Sequence, residues 1–338
     1  MTLNILLCGF GTFGQQHAAA WKVACQGHKL LVADLDPGRQ ELAIKSGCAP
    51  DDVCSDFNDL LSKADIVDIV TTSESHFDIA MAALASGKPT LIEKPAVKKI
   101  SEATDLVKEA SNRSLPVQVQ FVLRAHPLVR EAQKFLKKGL IGRLVAMDAN
   151  FTGWKRMRPD ASILENDGVH MLDLMHYFSQ SSAVSFDIIG DKLFDGEIPE
   201  TVHVRLKFPN KIVGWLRLGI AFGGKQRDDY TFGSLTTKTF KLIGDSGSIE
   251  LDFNADTMDF AEITYHRTDG GFTPEIKNLT TKRCTGVTPV VLLTECFRQF
   301  TGALTKKNEV ICDLSQGAVE ITKILDDARE RLAVQHDL

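Results

Sequence analysis

The stretch that decides the fold of this chain is LNILLCGFGTFG, from Leu3 to Gly14. Its apolar first half is long enough for one buried strand, it ends in Gly9-x-Gly11-x-x-Gly14, and a helical pattern follows at once. In a βαβ unit, the first such glycine permits the tight turn, the second lets the main chain approach a pyrophosphate, and the third lets the helix pack on the sheet. The helix N-terminus then holds the phosphate charge. Because a strand and a helix flank the glycines, the stretch predicts a dinucleotide-binding unit.

An acid follows the second apolar run, residues 30–33, at the position Asp34. It comes 20 residues after Gly14, which is the spacing of the acid that binds the adenosine ribose. The alternative for Asp34 is a cap or turn role, which is the role predicted for Asp36 before the next helical pattern. An acid at this position favours NAD over NADP, because it would repel a 2′-phosphate, and Leu35 offers that phosphate no cation.

Length, charge and cysteine content limit the class of protein. The 338 residues are enough for two domains, and 43% hydrophobic with 25% charged residues is typical of a soluble globular protein. The net charge of −5 gives no reason to expect nucleic acid or a membrane surface as a partner. The seven cysteines are an odd number without a framework spacing, which predicts a reducing, cytoplasmic location. The apolar N-terminus lacks a basic segment, so it is expected to be a strand and not a signal peptide.

The first part of the chain, residues 1–122, alternates strands with helices. Beyond the first strand and helix, the patterns predict strands at 30–33, near 53, 66–70, 89–92 and 117–121, and helices at 37–46, 57–62, 75–86 and 101–112. This alternation predicts an α/β Rossmann domain with a parallel sheet covered on both faces. Ligands bind such sheets at the carboxyl ends of the strands. The residues at these ends include Thr71, Thr72, Ser73, Glu93, Lys94 and Gln120.

The second part, residues 123–338, has a different order of helices and strands. The patterns predict a helix at 127–138, strands at 202–208, 212–222, 241–244 and 248–251, and helices at 289–303 and 315–334. Strands that alternate apolar and polar residues indicate a sheet with one solvated face. We therefore predict an α+β domain with a largely antiparallel sheet. The two domains are joined without a flexible linker, which favours a substrate site in the cleft between them.

Four motifs occur in the order Gly9-Phe10-Gly11-Thr12-Phe13-Gly14, Asp34, Glu93-Lys94-Pro95 and Asp167-Gly168-Val169-His170-Met171-Leu172-Asp173. Because these motifs occur in this order and at these distances, the chain resembles the Gfo/Idh/MocA family, which is named for glucose–fructose oxidoreductase and inositol dehydrogenase. The resemblance covers nearly the whole chain. It implies a large, open-faced sheet in the second domain, a homodimer or homotetramer, and NAD(P)-dependent hydride transfer between nicotinamide and a secondary alcohol or ketone of a sugar, cyclitol or sugar derivative.

The resemblance also implies roles for individual residues. Lys94 would hold the reacting oxygen, and His170 would act as general base or acid. Many relatives have Asp four residues before this histidine, whereas this chain has Asn166, which can orient a hydroxyl but cannot accept its proton. The cofactor contacts predicted from the motifs and strand ends are Gly9, Phe10, Gly11, Thr12, Phe13, Gly14, Asp34, Leu35, Thr71, Thr72, Ser73, His76, Glu93, Lys94 and Gln120.

Each of these residues also has a structural interpretation. Lys94 could be a surface lysine and His170 a hydrogen-bonded core histidine. Arg124 is predicted to face substrate or to link the domains, and His76 to contact the cofactor or to pack and cap a helix.

The segment 153–159 carries three cations and an aromatic residue. Within it, Trp154, Arg156 and Arg158 predict contact with an anionic sugar, such as a sugar phosphate, uronate or nucleotide sugar, or else form a solvated loop. No group of residues has metal-ligand spacing, so no metal is predicted.

The sequence leaves two alternatives to a dehydrogenase open. One is a dinucleotide-sensing regulator on the same fold, which would need neither Lys94 nor His170. The other is an enzyme that uses bound NAD for transient hydride transfer during glycoside cleavage, and no feature of the sequence favours it.

Overall fold

The computed structural model describes residues 3–155, 161–194, 199–228, 233–306, 310–316 and 318–335. The chain divides into two compact units, Met1–Ala125 with Pro289–Asp326, and His126–Thr288 with Asp327–Leu338. The predicted boundary after residue 122 lies close to the junction at Ala125. The predicted second domain differs from the second unit, because Pro289–Asp326 groups with the N-terminal unit.

The first unit is built on a six-stranded sheet in which every pairing is parallel. Its strands are β1 (Asn4–Cys8), β2 (Lys29–Ala33), β3 (Val53–Cys54), β4 (Ile66–Ile69), β5 (Thr90–Ile92) and β6 (Val117–Val119). Its N-terminal helices are α1 (Thr12–Ala24), α2 (Pro37–Lys45), α3 (Asn58–Leu61), α4 (His76–Ala85) and α5 (Ile100–Arg113). The strand order β3-β2-β1-β4-β5-β6 confirms the predicted Rossmann arrangement.

The second unit contains a nine-stranded mixed sheet and two helices packed on it. The helices are α6 (Pro127–Lys137) and α7 (Val169–Ser179). The strands are β7 (Leu144–Trp154), β8 (Ser185–Asp191), β9 (Thr201–Lys207), β10 (Val213–Gly219), β11 (Gln226–Arg227), β12 (Leu235–Gly244), β13 (Gly247–Asp252), β14 (Thr257–Thr268) and β15 (Gly271–Arg283). Apart from the parallel pair of β7 and β10, the paired strands are antiparallel, so the predicted α+β class is confirmed.

The sheet of the second unit has one open face. On β9, Val202, Val204 and Leu206 are buried while His203 and Lys207 are exposed, which is the alternation expected of a half-buried strand. The sequence did not predict β7, although it pairs with both β10 and β12 near the middle of the sheet. Its buried residues alternate with exposed ones only in part, so the two-residue periodicity that indicates a strand is weak in its sequence.

Two C-terminal helices complete the chain, α8 (Pro289–Lys306) and α9 (Ala318–Gln335). Helix α8 packs on α1, where Phe297 stacks on Trp21 with ring centroids 4.2 Å apart. Together with the contacts of residues 314–316 with α5 and β6, this packing places Pro289–Asp326 in the same compact unit as the Rossmann sheet. Among the described helices, none combines the length and the apolar character that crossing a membrane requires.

Candidate dinucleotide and substrate site

The glycine loop between β1 and α1 has the backbone geometry that its sequence predicts. Gly9 has a φ of 99°, and a Cβ on it would lie 2.7 Å from the carbonyl oxygen of Val70. A Cβ on Gly14 would lie 2.2 Å from the carbonyl oxygen of Gly9, so only glycine lets α1 begin this close to the loop. A Cβ on Gly11 would meet no atom within 4 Å, which leaves open space beside the main chain.

Asp34 directly follows β2 and lies next to this loop. Its Oδ2 accepts a hydrogen bond from the N–H of Phe10 at 2.6 Å, and its Oδ1 accepts one from the N–H of Asp36 at 2.9 Å. The next residue, Leu35, is 86% exposed, and Phe13, in the first turn of α1, is 46% exposed. Asp36 caps α2 as predicted, by accepting from the N–H of Gly38 at 2.8 Å.

The loop after β4 carries Thr71, Thr72 and Ser73, which are exposed or half-buried. The hydroxyl of Ser75 donates to Thr71 Oγ1 at 2.8 Å. His76 is buried, with Nδ1 at 3.0 Å from the carbonyl oxygen of Pro95 and Nε2 at 3.2 Å from that of Thr71. Burial lowers the pKa of His76. Its ring joins two loops at the sheet edge, which matches the packing role, and its contact with cofactor stays a prediction.

The ends of β5 and β6 supply the remaining polar groups of this edge. Glu93 is buried, Lys94 is half-buried, and the Lys94-Pro95 peptide is cis. Gln120 is 1% exposed, and its Oε1 accepts from Gln118 Nε2 at 3.3 Å. Within the described residues, Gln120 Nε2 has no hydrogen-bond partner, so a buried donor is available to a ligand at this edge.

The carboxyl edge of the parallel sheet carries the groups that a dinucleotide requires. The open space beside Gly11, the N-terminus of α1 without a side-chain cap, the carboxylate of Asp34 and the available donor of Gln120 all lie at the carboxyl edge of the sheet. They match what pyrophosphate, ribose and a carboxamide require. The residues at this edge therefore fit NAD.

In the second unit, His170 lies in the first turn of α7, directly after a π-helical turn, Leu164–Gly168. Such turns frequently occur at functional sites. Asn166 lies in this turn, and its Nδ2 donates to Asp167 Oδ1 at 2.9 Å. Both His170 and Asn166 are half-buried. The structure thus brings two of the predicted catalytic residues onto adjacent turns of one segment.

The sequence motifs assign no individual role to Lys155, and Asp167 enters them only as the first residue of the histidine motif. The Lys155 ammonium forms an ion pair with Asp167 Oδ2 and lies 4.1 Å from the centroid of the Phe151 ring. The two charged side chains are 4% and 12% exposed. Asp167 also accepts a hydrogen bond from Asn166 Nδ2. The nitrogen of the Asn166 amide therefore faces Asp167, and the amide oxygen points away from it. No sequence pattern links Lys155 to Asp167; the pairing depends on where the end of β7 meets the π-helical turn.

Glu165, the other acid beside Asn166, has a structural role. Its carboxylate accepts from the N–H and the hydroxyl of Ser162 at 3.0 and 2.9 Å, and from Arg329 Nε at 3.0 Å. It therefore holds the start of the π-helical turn to α9, and Asp167 is the acid that contacts Asn166.

The predicted substrate residues have different surroundings. Arg124 is 5% exposed and donates from Nη1 to the carbonyl oxygen of Ile311 at 3.3 Å, a contact within the first unit. Trp154, at the end of β7, is 56% exposed. Arg156 and Arg158 lie outside the described residues.

Within the described part of the chain, one cluster, His126, Asp256 and Cys284, has possible metal ligands within 4.8 Å of one another. His126 Nδ1 accepts the N–H of Leu128 at 3.2 Å and caps α6. Its other nitrogen, Nε2, then carries the proton and faces Asp256 Oδ1 at 3.3 Å. A ring protonated at this nitrogen is a hydrogen-bond donor and not a metal ligand. We therefore assign the cluster no metal.

The fold and these groups of residues define a dinucleotide-binding protein of the Rossmann class with an open-faced α+β second unit. Residues 3–121 match the family model of an oxidoreductase family with an NAD-binding Rossmann fold, and residues 129–250 match the GFO/IDH/MocA C-terminal domain. The chain belongs to the GFO/IDH/MocA family of oxidoreductases, and the resemblance inferred from its motifs is confirmed.

Individual relatives are named for different substrates. The inositol 2-dehydrogenase 2 of Saccharopolyspora erythraea is 33% identical over 184 residues, 52% of this chain and 54% of that protein. The levoglucosan dehydrogenase of Pseudarthrobacter phenanthrenivorans is 23% identical over 311 residues, 78% of this chain and 76% of that protein. The chain spans about half the length of the first curated relatives it matches.

Among solved structures, UDP-N-acetylglucosamine 3-dehydrogenase from Acidithiobacillus ferrooxidans superposes with a TM-score of 0.78. It is 21% identical, and the superposition covers 99% of both chains. At this identity the likeness shows the fold.

Proposed function

We propose that this protein is an NAD-dependent oxidoreductase that transfers a hydride between nicotinamide and a secondary alcohol or ketone of a sugar, cyclitol or sugar derivative. The observation that carries the proposal is the position of Lys94 at the carboxyl end of β5, on the same sheet edge as the glycine loop and Asp34. A lysine beside a dinucleotide site can stabilise the negative charge of a reacting oxygen. The names of the relatives, inositol 2-dehydrogenase and levoglucosan dehydrogenase, support a sugar-like alcohol.

Three residues would divide the work. When bound, NAD supplies the hydride acceptor. Lys94 donates a hydrogen bond to the substrate oxygen and stabilises its charge as the C–H electron pair leaves. His170 takes the proton of the hydroxyl and returns it in the reverse direction. Asn166 directs its amide oxygen toward a substrate hydroxyl, because its Nδ2 donates to Asp167.

For the substrate, we propose an anionic sugar, such as a sugar phosphate, uronate or nucleotide sugar. The support is the exposed face of Trp154, which suits a sugar ring or base, and the arginines at 156 and 158, which suit phosphate or carboxylate. Arg124 supports the proposal less, since its guanidinium already donates to the Ile311 carbonyl.

A turnover screen tests the function. Purified protein is assayed with NAD and NADP against myo-inositol, levoglucosan, glucose 6-phosphate, glucuronate and UDP-N-acetylglucosamine, beside the variants Lys94→Met, Arg156→Ala and Arg158→Ala. We expect turnover that Lys94→Met removes, and a higher KM for the anionic substrate in both arginine variants with KM for NAD unchanged. Tight NADH binding without turnover on any panel member would favour the dinucleotide-sensing regulator. A neutral best substrate with KM indifferent to both arginines would contradict the anionic class.

We also propose that the protein forms a homodimer or homotetramer in the cytoplasm. Support for self-association comes from β15, an edge strand whose 13 residues are all exposed. Phe272, Ile276 and Leu279 on this strand are each at least 66% exposed, and a long exposed edge strand that carries apolar side chains is a site for pairing with another chain. Light scattering of the purified protein measures its oligomeric state, and a monomer at micromolar concentration would contradict the proposed homodimer or homotetramer. Cell fractionation tests the proposed cytoplasmic location.

A further inference from the structure

His17, three residues after Gly14, is fully buried and lies between two acids of neighbouring strands. Its Nδ1 is 2.9 Å from Asp68 Oδ2, and its Nε2 is 3.1 Å from Glu93 Oε1. A carboxylate accepts hydrogen bonds, so a ring that bonds two carboxylates must carry a proton on each nitrogen. The geometry therefore describes a buried imidazolium that bridges the end of β4 and the residue after β5.

Aromatic rings enclose this ion cluster. Trp21 Nε1 donates to Asp68 Oδ2 at 2.7 Å, and Phe297 of α8 contacts the His17 ring edge-on with centroids 5.3 Å apart. Asp68, like His17, has no exposed surface. Charges in such a dry environment interact more strongly than at a surface, and removing one leaves its partners without compensation.

The charges agree with this protonation. Burial by itself lowers the pKa of His17, but the charges and hydrogen bonds of Asp68 and Glu93 outweigh it and raise the pKa to about 10. Burial raises the pKa of Glu93, yet the hydrogen bond and charge of His17, aided by Lys94, bring it below its ordinary value. The imidazolium thus keeps Glu93 ionised.

Glu93 connects this cluster to the main chain of Lys94. The N–H of Glu93 still bonds the carbonyl oxygen of Ile69 in the sheet at 2.9 Å. The next N–H, that of Lys94, instead donates to Glu93 Oε2 at 3.1 Å. One carboxylate therefore accepts from His17 with one oxygen and from the Lys94 backbone with the other, so the orientation of Glu93 sets where Lys94 leaves the sheet.

We propose that His17 is a positioning residue for Lys94: it holds the Glu93 carboxylate, which fixes the Lys94 backbone at the sheet edge. The proposal rests on the proposed function, since it makes Lys94 the group that holds the substrate oxygen. It also connects the helix of the glycine loop to the lysine, because His17 lies on α1.

Two variants of the full chain separate positioning from stability. His17→Gln keeps N–H donors on one nitrogen but removes the positive charge and the second ring nitrogen, whereas the control Trp21→Phe removes a donor to Asp68 and leaves the contact between His17 and Glu93 in place. The readouts are the amide signal of Lys94 in ¹H–¹⁵N spectra, the Kd for NADH, and kcat with the panel substrate that wild type turns over fastest. We expect His17→Gln to shift the Lys94 amide signal and to lower kcat roughly 10–100-fold, with the Kd for NADH changed less than about threefold. Trp21→Phe should lower Tm while keeping the Lys94 signal and kcat.

An unmoved Lys94 amide in folded His17→Gln, or a loss of kcat no larger than in Trp21→Phe, would overturn the positioning role. Absence of NAD-linked turnover by wild type on every panel substrate would instead overturn the proposed function. The amide signal needs no substrate, so the two failures are distinguishable.

Discussion

The N–H of Phe10 donates to Asp34 Oδ2 at 2.6 Å, so the carboxylate at the end of β2 is fastened to the middle of the glycine loop. The two parts of the dinucleotide motif, 24 residues apart in the chain, form one surface. Since this contact and the one to Asp36 fix both oxygens, the negative charge has a defined position. With Asp34 in its proposed role at the adenosine ribose, this charge would repel a 2′-phosphate.

The first prediction concerns cofactor choice. Asp34→Ser should raise the ratio of kcat/KM for NADP to that for NAD at least about tenfold, because about 1.4 kcal/mol of charge repulsion is removed. Steady-state kinetics with both cofactors measure the ratio. Asp36→Ser, which keeps an N-cap on α2, is the matched control and should leave the ratio unchanged. Wild-type preference for NADP would contradict the role of Asp34.

The second prediction concerns Lys94. Lys94→Met should lower kcat by about 10² or more, as does loss of a donor to a developing oxyanion, while the Kd for NADH stays within a few-fold. Stopped-flow turnover and NADH fluorescence titration give the two values. Lys98→Met removes a nearby lysine that pairs with Glu74 at the surface, and it should leave kcat unchanged.

The third prediction concerns His170. His170→Ala should lower kcat roughly 10²–10⁴-fold and remove one limb of the pH–rate profile, because the proton of the hydroxyl loses its acceptor. His203→Ala, on the open face of the sheet, serves as the control and should behave as wild type. A pH–rate profile that keeps both limbs in His170→Ala would assign the proton transfer to another group.

The fourth prediction concerns the ion pair of Lys155 with Asp167. Asp167→Ala should destabilise the protein by about 3–5 kcal/mol, because the buried Lys155 ammonium loses its partner. It should also raise KM for the substrate, since Asn166 loses the contact that orients its amide. Denaturant unfolding and kinetics measure the two effects. Lys241→Met breaks an exposed pair with Glu250 on the same sheet and should cost less than about 1 kcal/mol.

The fifth prediction is the pH dependence of stability that His17 contributes. Its pKa is about 10 in the folded protein against an ordinary 6.5, so its stabilising contribution is complete below pH 6.5 and is lost as pH rises toward 10. Glu93, whose pKa is lowered, stabilises above its ordinary 4.5 and ceases to do so in acid. Denaturant unfolding from pH 6 to 10 should show a fall in wild type that is reduced in His17→Gln. Equal slopes in the two proteins would contradict the buried imidazolium.

Much of the first unit follows from the sequence alone. The glycine loop, the spacing to Asp34 and the Glu-Lys-Pro strand end depend on residues that are neighbours in the chain or on short, strongly periodic elements. Strand–helix alternation then fixes which ends share a sheet edge, so the position of Lys94 at the dinucleotide edge was predictable.

Only the tertiary structure decided how those residues are held. His17 meets Asp68 and Glu93 across 51 and 76 residues of sequence, and Lys155 meets Asp167 within a π-helical turn that no local pattern indicates. The return of α8 onto α1 likewise depends on packing between distant apolar side chains. Local periodicity reports which face of an element is buried, whereas the partner of a buried charge is set by the packing of several elements at once.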